Sequence, residues 1–186
     1  MRRVTIFEQT SLDGFFADAN GDMSWAHKDD PEWNAFAGSN ASGGGALLFG
    51  RVTYELMAKF WPTPEAKEIM PAVAEGMNRM SKYVFSRTLD QVTWSNTTLL
   101  KGEPAEEVRK LKREVGPDLV ILGSGSIVSQ LAQAGLIDGY QIVVNPIILG
   151  RGKSLFETVT RRLDLRLIDR KPFRNGNTVL TFDSAA

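Results

Sequence analysis

Three short stretches of this sequence combine residue types that bind phosphate, and each follows a run of apolar residues. Gly123-Ser124-Gly125-Ser126 follows Leu119-Val120-Ile121-Leu122 and opens a segment whose apolar residues Ile127, Val128, Leu131 and Ala132 recur at helical spacing up to Gly135. Gly50-Arg51-Val52-Thr53 follows Ala46 to Phe49 and leads into a helical pattern through Leu56, Met57 and Phe60. Ser86-Arg87-Thr88 follows Lys82 to Phe85. Where a strand turns into a helix, the first backbone N–H groups of the helix have no partner within it, and the dipole adds positive potential there. Glycine lets an anion come close to that backbone, a guanidinium forks onto phosphate oxygens, and a hydroxyl bonds them or caps the helix.

Each stretch alone also reads as a plain turn, and Thr53 as an ordinary N-cap. The glycine-rich turn departs from a dinucleotide fingerprint, because Val128 stands where a third glycine belongs. Three such strand ends in one chain nevertheless point to an anionic ligand at the carboxyl edge of a parallel sheet.

Composition narrows the classes. A chain of 186 residues is most simply one domain, residues 1–186, with room for a full core. There are no cysteines, which excludes disulfides, thiolate metal sites and a cysteine nucleophile and suits a reducing, cytoplasmic compartment. Twenty-two basic and 22 acidic side chains cancel, which argues against a nucleic-acid partner. No apolar run approaches the length of a membrane span, and the N-terminus lacks the apolar stretch of a secretory signal. His27 is the only histidine, so a multi-histidine metal site is excluded and no metal is expected.

The elements that position these stretches follow from local pattern. Val4 to Gln9 is rich in β-branched and aromatic residues and reads as a first, central strand. The following loop mixes turn formers with Phe15, Phe16, Met23 and Trp25, the composition of a loop that covers something. Asp30-Pro31-Glu32-Trp33 starts a helix, with Asp30 as N-cap and Pro31 at its first position. Glu65 to Met80 is helical with a break near Pro71, Thr97 to Leu100 is a strand, and Pro104 to Val115 is an amphipathic helix. Asp138 to Asn145 is a strand, and Pro146 to Lys153 is its turn. Period-two alternation over Leu163 to Asp169 and Asn177 to Phe182, with Asn175-Gly176 between, predicts an antiparallel hairpin. The fold class is therefore α/β, with a mixed, mainly parallel central sheet flanked by helices.

SLDG after the first strand, GRVTYE after the second, SRTL after the third, GSGSI after the central one and the later PIILGRGKSLF together resemble the dihydrofolate reductase-like superfamily. The likeness is strongest to the branch of the riboflavin-biosynthesis reductase C-terminal domain and its stand-alone relatives, and it runs from Val4 to about Phe182. It implies a three-layer dihydrofolate reductase-like fold and NADPH as cofactor. Gly50, Arg51, Val52 and Thr53 would then hold cofactor phosphates, and Ser86, Arg87 and Thr88 the adenosine 2′-phosphate. Gly123, Ser124, Gly125, Ser126, Ile127 and Val128 would take the pyrophosphate and nicotinamide side, which Gln9, Thr10, Asp13 and Phe16 approach from the first strand and its loop. By the same likeness Asp30 is the candidate catalytic carboxylate, with Asp13, Trp25 and Trp33 beside it at the substrate. Asp30 reads equally as a helix cap, with Glu32 or Asp29 in its place if the register differs, and Arg151 and Lys153 are candidates for a substrate anion. The expected activity is NADPH-dependent reduction of a small pterin-like or pyrimidine-like heterocycle. The alternative is a non-catalytic nucleotide-binding or ligand-sensing module, and the apolar C-terminal hairpin is a candidate homodimer surface.

Overall fold

The computed structural model describes residues 1–28 and 30–185. Among these residues ten strands form in chain order: β1 (Val4–Ser11), β2 (Phe15–Asp18), β3 (Ala46–Gly50), β4 (Lys82–Phe85), β5 (Thr97–Leu100), β6 (Leu119–Ile121), β7 (Gly139–Asn145), β8 (Gly152–Ser154), β9 (Leu165–Pro172) and β10 (Thr178–Ser184). The helices are α1 (Pro31–Ser42), α2 (Arg51–Phe60), α3 (Pro64–Ile69), α4 (Pro71–Arg79), α5 (Pro104–Arg113) and α6 (Gly125–Gln133). Eight strands make one sheet in the order β5-β4-β3-β6-β1-β7-β10-β9. Every pairing from β5 to β7 is parallel, and β10 and β9 run antiparallel at the far end.

That order puts the site at one edge. After β1 the chain moves outward through β3, β4 and β5, then returns to insert β6 between β3 and β1 before β7 pairs on the other side of β1. The carboxyl ends of β3, β6 and β1 are thus neighbours at the point where the winding reverses, where open α/β sheets bind ligands. Alternation along β1 sorts its side chains. Val4 and Ile6 join the core that covers α5 and α6, with Val108, Leu111, Ile127, Val128 and Leu131. Phe7 faces the other way, toward Phe36 of α1. On that second face Leu47 and Phe49 pack against Tyr54 of α2 and Val73 and Met77 of α4.

The break at Pro71 falls as expected, with α3 ending at Ile69, Met70 between, and α4 starting at Pro71. Two expectations need correction. Part of the loop after β1 is a strand, since Phe15–Asp18 pairs with Gly152–Ser154 from the segment read only as a turn. The alternation in the tail does not mark a buried face on its first strand. β9 is exposed along its whole length, with Leu165 and Leu167 40% and 50% accessible, because it forms the sheet edge.

The route into the Ser86 turn is anchored by an unusual residue. Lys82 is fully buried, and its ammonium donates to the carbonyls of Met77 (2.8 Å), Asn78 (3.2 Å) and Met80 (2.6 Å), 4.5 Å from the Trp94 ring centroid. Burial pulls its pKa down to about 8, so at neutral pH it remains the cation that ends α4. Replacing it as Lys82→Met leaves those carbonyls without their donor, and urea unfolding should report a loss of about 2–4 kcal/mol. An unchanged midpoint would show that the end of α4 does not depend on this cation.

Candidate active site

Two helix N-termini meet at the carboxyl edge of β3 and β6. α2 begins directly after Gly50 and α6 directly after Ser124, and neither has a side chain capping its first turn. The two turns are tied by a backbone hydrogen bond from Gly50 N–H to the Gly123 carbonyl, 3.1 Å. Both tied residues must be glycine. A Cβ at Gly50 would strike Ser124 Oγ, and Gly123 has a φ of +97°, a conformation that favours glycine. A Cβ at Gly123 would stand 3.1 Å from Thr53 Oγ1 and 3.4 Å from Glu8 Oε2, so β1, α2 and the β6 turn face one small space. Of the glycine-rich turn, Ser124 and Ser126 bond each other through their hydroxyls at 2.8 Å, and Ile127 and Val128 are buried in the core. The latter two support the turn through packing, with only their backbone near its surface.

Phe16 packs over this junction, its ring resting against Gly125. Arg51 is half-exposed and ion-paired with Glu55 one turn on, at 3.0 Å, while Val52 beside it points to solvent. Arg87 is exposed and paired with Glu103 at the start of α5. Ser86 Oγ accepts the N–H groups of Thr88 (3.2 Å) and Leu89 (3.0 Å), a local bond that shapes the turn. A cavity of about 270 Å³ opens here, lined by Ser86, Arg87 and Glu103 on one side and Ile127 and Gln130 of α6 on the other. It joins the Ser86 turn to α6, whereas a larger hollow of about 700 Å³ between Pro62, Lys67, Asn78 and Ser95 holds no residue of the three strand ends.

The α1 side of β1 is different in character. The Asp30 carboxylate accepts the Trp33 N–H at 2.8 Å, which is the capping arrangement. Trp33 itself is buried, in contact with Phe36 and edge-on to Phe173 at 5.4 Å, so it meets the site through packing. Trp25 is half-buried in a short 3-10 turn, its indole N–H donating to Asp22 O. Asp13 binds the backbone N–H groups of Leu149 and Gly150, at 3.1 and 2.8 Å, and so ties the loop after β1 to the loop after β7. The Ser11 side chain, followed by those N–H groups, holds its carboxyl below the ordinary value. Glu32 is exposed in the first turn of α1, Arg151 and Lys153 are exposed around β8, and Asp29 lies outside the described residues.

Two asparagines on this face escaped the sequence reading. Gln9 stands beside Val143 in the parallel register, and Val143 faces Val179 across the antiparallel one. One step beyond that valine pair, Asn145 and Asn177 are both fully buried. Asn145 Nδ2 donates at 3.3–3.4 Å to Gln9 Oε1 and the carbonyls of Thr10 and Val143, which fixes its amide orientation. The Lys28 ammonium fixes that of Asn177 by donating to its Oδ1 at 3.3 Å. Asn145 Oδ1 and Asn177 Nδ2 are left buried without a partner among the described residues, an acceptor and a donor available to a bound water or ligand.

Glu8 is the other residue that sequence reasoning missed. It shares the inward parity of Val4 and Ile6, is 7% exposed, and among the described residues accepts only the Gln9 N–H, at 3.3 Å. Burial raises its pKa from an ordinary 4.5 to about 7, against the lowering effect of the Gln9 N–H. The signal was available in sequence as an acid in phase with the apolar residues of a central strand. Because the folded pKa lies above the unfolded one, the penalty is absent below pH 4.5, grows up to about pH 7 and is complete above it. Glu8→Gln should therefore melt higher than the parent at pH 8, by roughly 3 kcal/mol at about 1.4 kcal/mol per pKa unit, and equally near pH 4.5. Identical differences at both pH values would contradict this assignment.

Comparison with known proteins agrees with this geometry. Residues 2–179 match the family model described as RibD C-terminal domain. The Bacillus subtilis protein YyaP, described as uncharacterized, is 28% identical over 176 residues, covering 94% of this chain and 91% of that protein. Among solved structures, a putative riboflavin biosynthesis protein from Shewanella sp. PV-4 superposes with a TM-score of 0.75 at 23% identity, covering all of both chains. Dihydrofolate reductase from Enterococcus faecalis, complexed with NADP(H) and RAB-propyl, gives 0.67 at 14% identity over 99% of this chain and 97% of that one. The fold is that of the dihydrofolate reductase-like superfamily, a reductase-like architecture with a mostly parallel sheet between helices.

Proposed function

This chain belongs to the RibD C-terminal domain family, and we propose that it is an NADPH-dependent reductase of a small pterin-like or pyrimidine-like heterocycle. The observation that carries this reading is the convergence of two uncapped helix N-termini on Gly50 and Gly123, with Thr53 beside them. The residues fit the cofactor: glycine at 123 leaves the small space bordered by Thr53 Oγ1 open, so that a diphosphate oxygen can approach the uncapped starts of both helices. When bound, NADPH supplies the hydride. The chain supplies the rest. Backbone N–H groups of Arg51, Val52 and Thr53 and of Gly125 and Ser126 hold the diphosphate, and Arg87, on exchanging Glu103 for the ligand, meets the additional phosphate.

Substrate orientation falls to the α1 side, where Gln9, Asn145 and Asn177 offer amides beside an aromatic wall of Trp33, Phe36 and Phe173. An unpaired acceptor on Asn145 and an unpaired donor on Asn177 suit a heterocyclic amide, and such a site rejects analogues lacking it.

Replacing Arg51 and Arg87 together by Ala should weaken NADPH by about tenfold or more, as loss of charge-assisted bonds implies, and NADH by much less. Titration of intrinsic Trp fluorescence with each nucleotide reads the difference, and equal losses would contradict the assignment of Arg87 to the extra phosphate.

The second reading, a nucleotide-binding module without turnover, draws support from Asp30, whose carboxylate is engaged at the helix cap. Asp30→Asn retains a capping side chain and removes the charge. If Asp30 is catalytic, turnover on a pterin or pyrimidine substrate should fall by about 10²-fold or more, the range of acid–base contributions, with NADPH affinity unchanged. Unaltered turnover would leave Asp30 as a cap alone.

A further inference from the structure

Glu8 has no task in the reductase reading set out above, yet its side chain is aimed at the cofactor cradle. Oε1 accepts the Gln9 N–H, and Oε2 has no hydrogen-bond donor among the described residues. Oε2 faces the space beside Gly123 that Thr53 Oγ1 also borders. Among the described residues, the elements around it bring no cation. β6 contributes Ile121, paired with Ile6, β7 contributes Ile142 opposite Glu8, α2 contributes Thr53, and the α6 turn contributes Ser124 and Ser126. Arg51, at the start of α2, is bound to Glu55. No charged group shifts Glu8, and its raised pKa comes from burial.

A buried carboxylate with a single donor and no cation favours its neutral form, and a neutral carboxylic acid is a hydrogen-bond donor. At this position ionisation sets a negative charge against an anionic dinucleotide, whereas the acid presents a proton to it. We propose that Glu8 is a cofactor-binding acid, which as the neutral carboxylic acid donates its Oε2 proton to an acceptor oxygen of the dinucleotide. Binding then takes up one proton from solvent for each Glu8 that was ionised in the free protein. The inference rests on the reading of the cradle as an NADPH site.

The test is calorimetric titration of the full chain with NADPH at pH 8, in two buffers of different ionisation enthalpy, for the parent and for Glu8→Gln. The parent should take up close to one proton more than the variant, since any contribution of the nucleotide's own phosphate is common to both. Above pH 7 the parent's Kd should rise by up to about tenfold per pH unit relative to that of Glu8→Gln. Carboxyl ¹³C NMR of the parent, with and without NADPH, makes the same distinction without a variant: the Glu8 resonance should stay protonated to higher pH in the complex. NADPH binding with equal proton uptake in parent and variant, or with an unmoved Glu8 titration, would overturn this proposal alone. Absence of NADPH binding at every pH would overturn the cofactor reading and this proposal with it.

Discussion

The hydrogen bond between Gly50 N–H and the Gly123 carbonyl is the contact on which the site depends. It joins the ends of two parallel strands at the point where both chains turn into helices, and it forms only because neither residue carries a side chain. The N–H groups at the two helix starts are backbone, brought into place by sheet topology. The insertion of β6 between β3 and β1 makes the turns neighbours, and the apolar core beneath α6 fixes the direction of its axis. A backbone arrangement of this kind depends little on surface side chains, in keeping with a shared fold at identities of 14–23%.

The two faces of β1 divide the labour. Its even residues run from the core, Val4 and Ile6, to the acid Glu8 and then Thr10, so the side proposed for the cofactor is the end of a buried row. Its odd residues lead from Phe7 to Gln9, beside the aromatic wall and the asparagine pair. Burial of an unpaired carboxylate and two partly unpaired amides opposes folding, and such groups are retained at sites where a ligand completes them.

Much of this architecture was legible in sequence because it rests on local pattern. Short apolar runs closed by Gly50, Ser86 and Gly123 located the parallel strands, and Asp30-Pro31 and Pro71 marked helix starts. What local pattern missed involves partners distant in the chain. Phe15–Asp18 is a strand only because Gly152–Ser154 comes to pair with it, and Asn145 and Asn177 become neighbours only through the β7–β10 register. Glu8 lay within local reach, through the parity of its strand, but its burial depends on β7 and the turn at Gly123 coming to lie beside it.

The central claim is that the paired turns at Gly50 and Gly123 hold the dinucleotide through their backbone. Amide ¹⁵N–¹H correlation spectra of the full chain during NADPH titration test it most directly. The largest shifts should fall on Arg51, Val52 and Thr53 and on Gly123, Gly125 and Ser126. Saturable binding that leaves those amides unmoved and perturbs another surface would contradict the account.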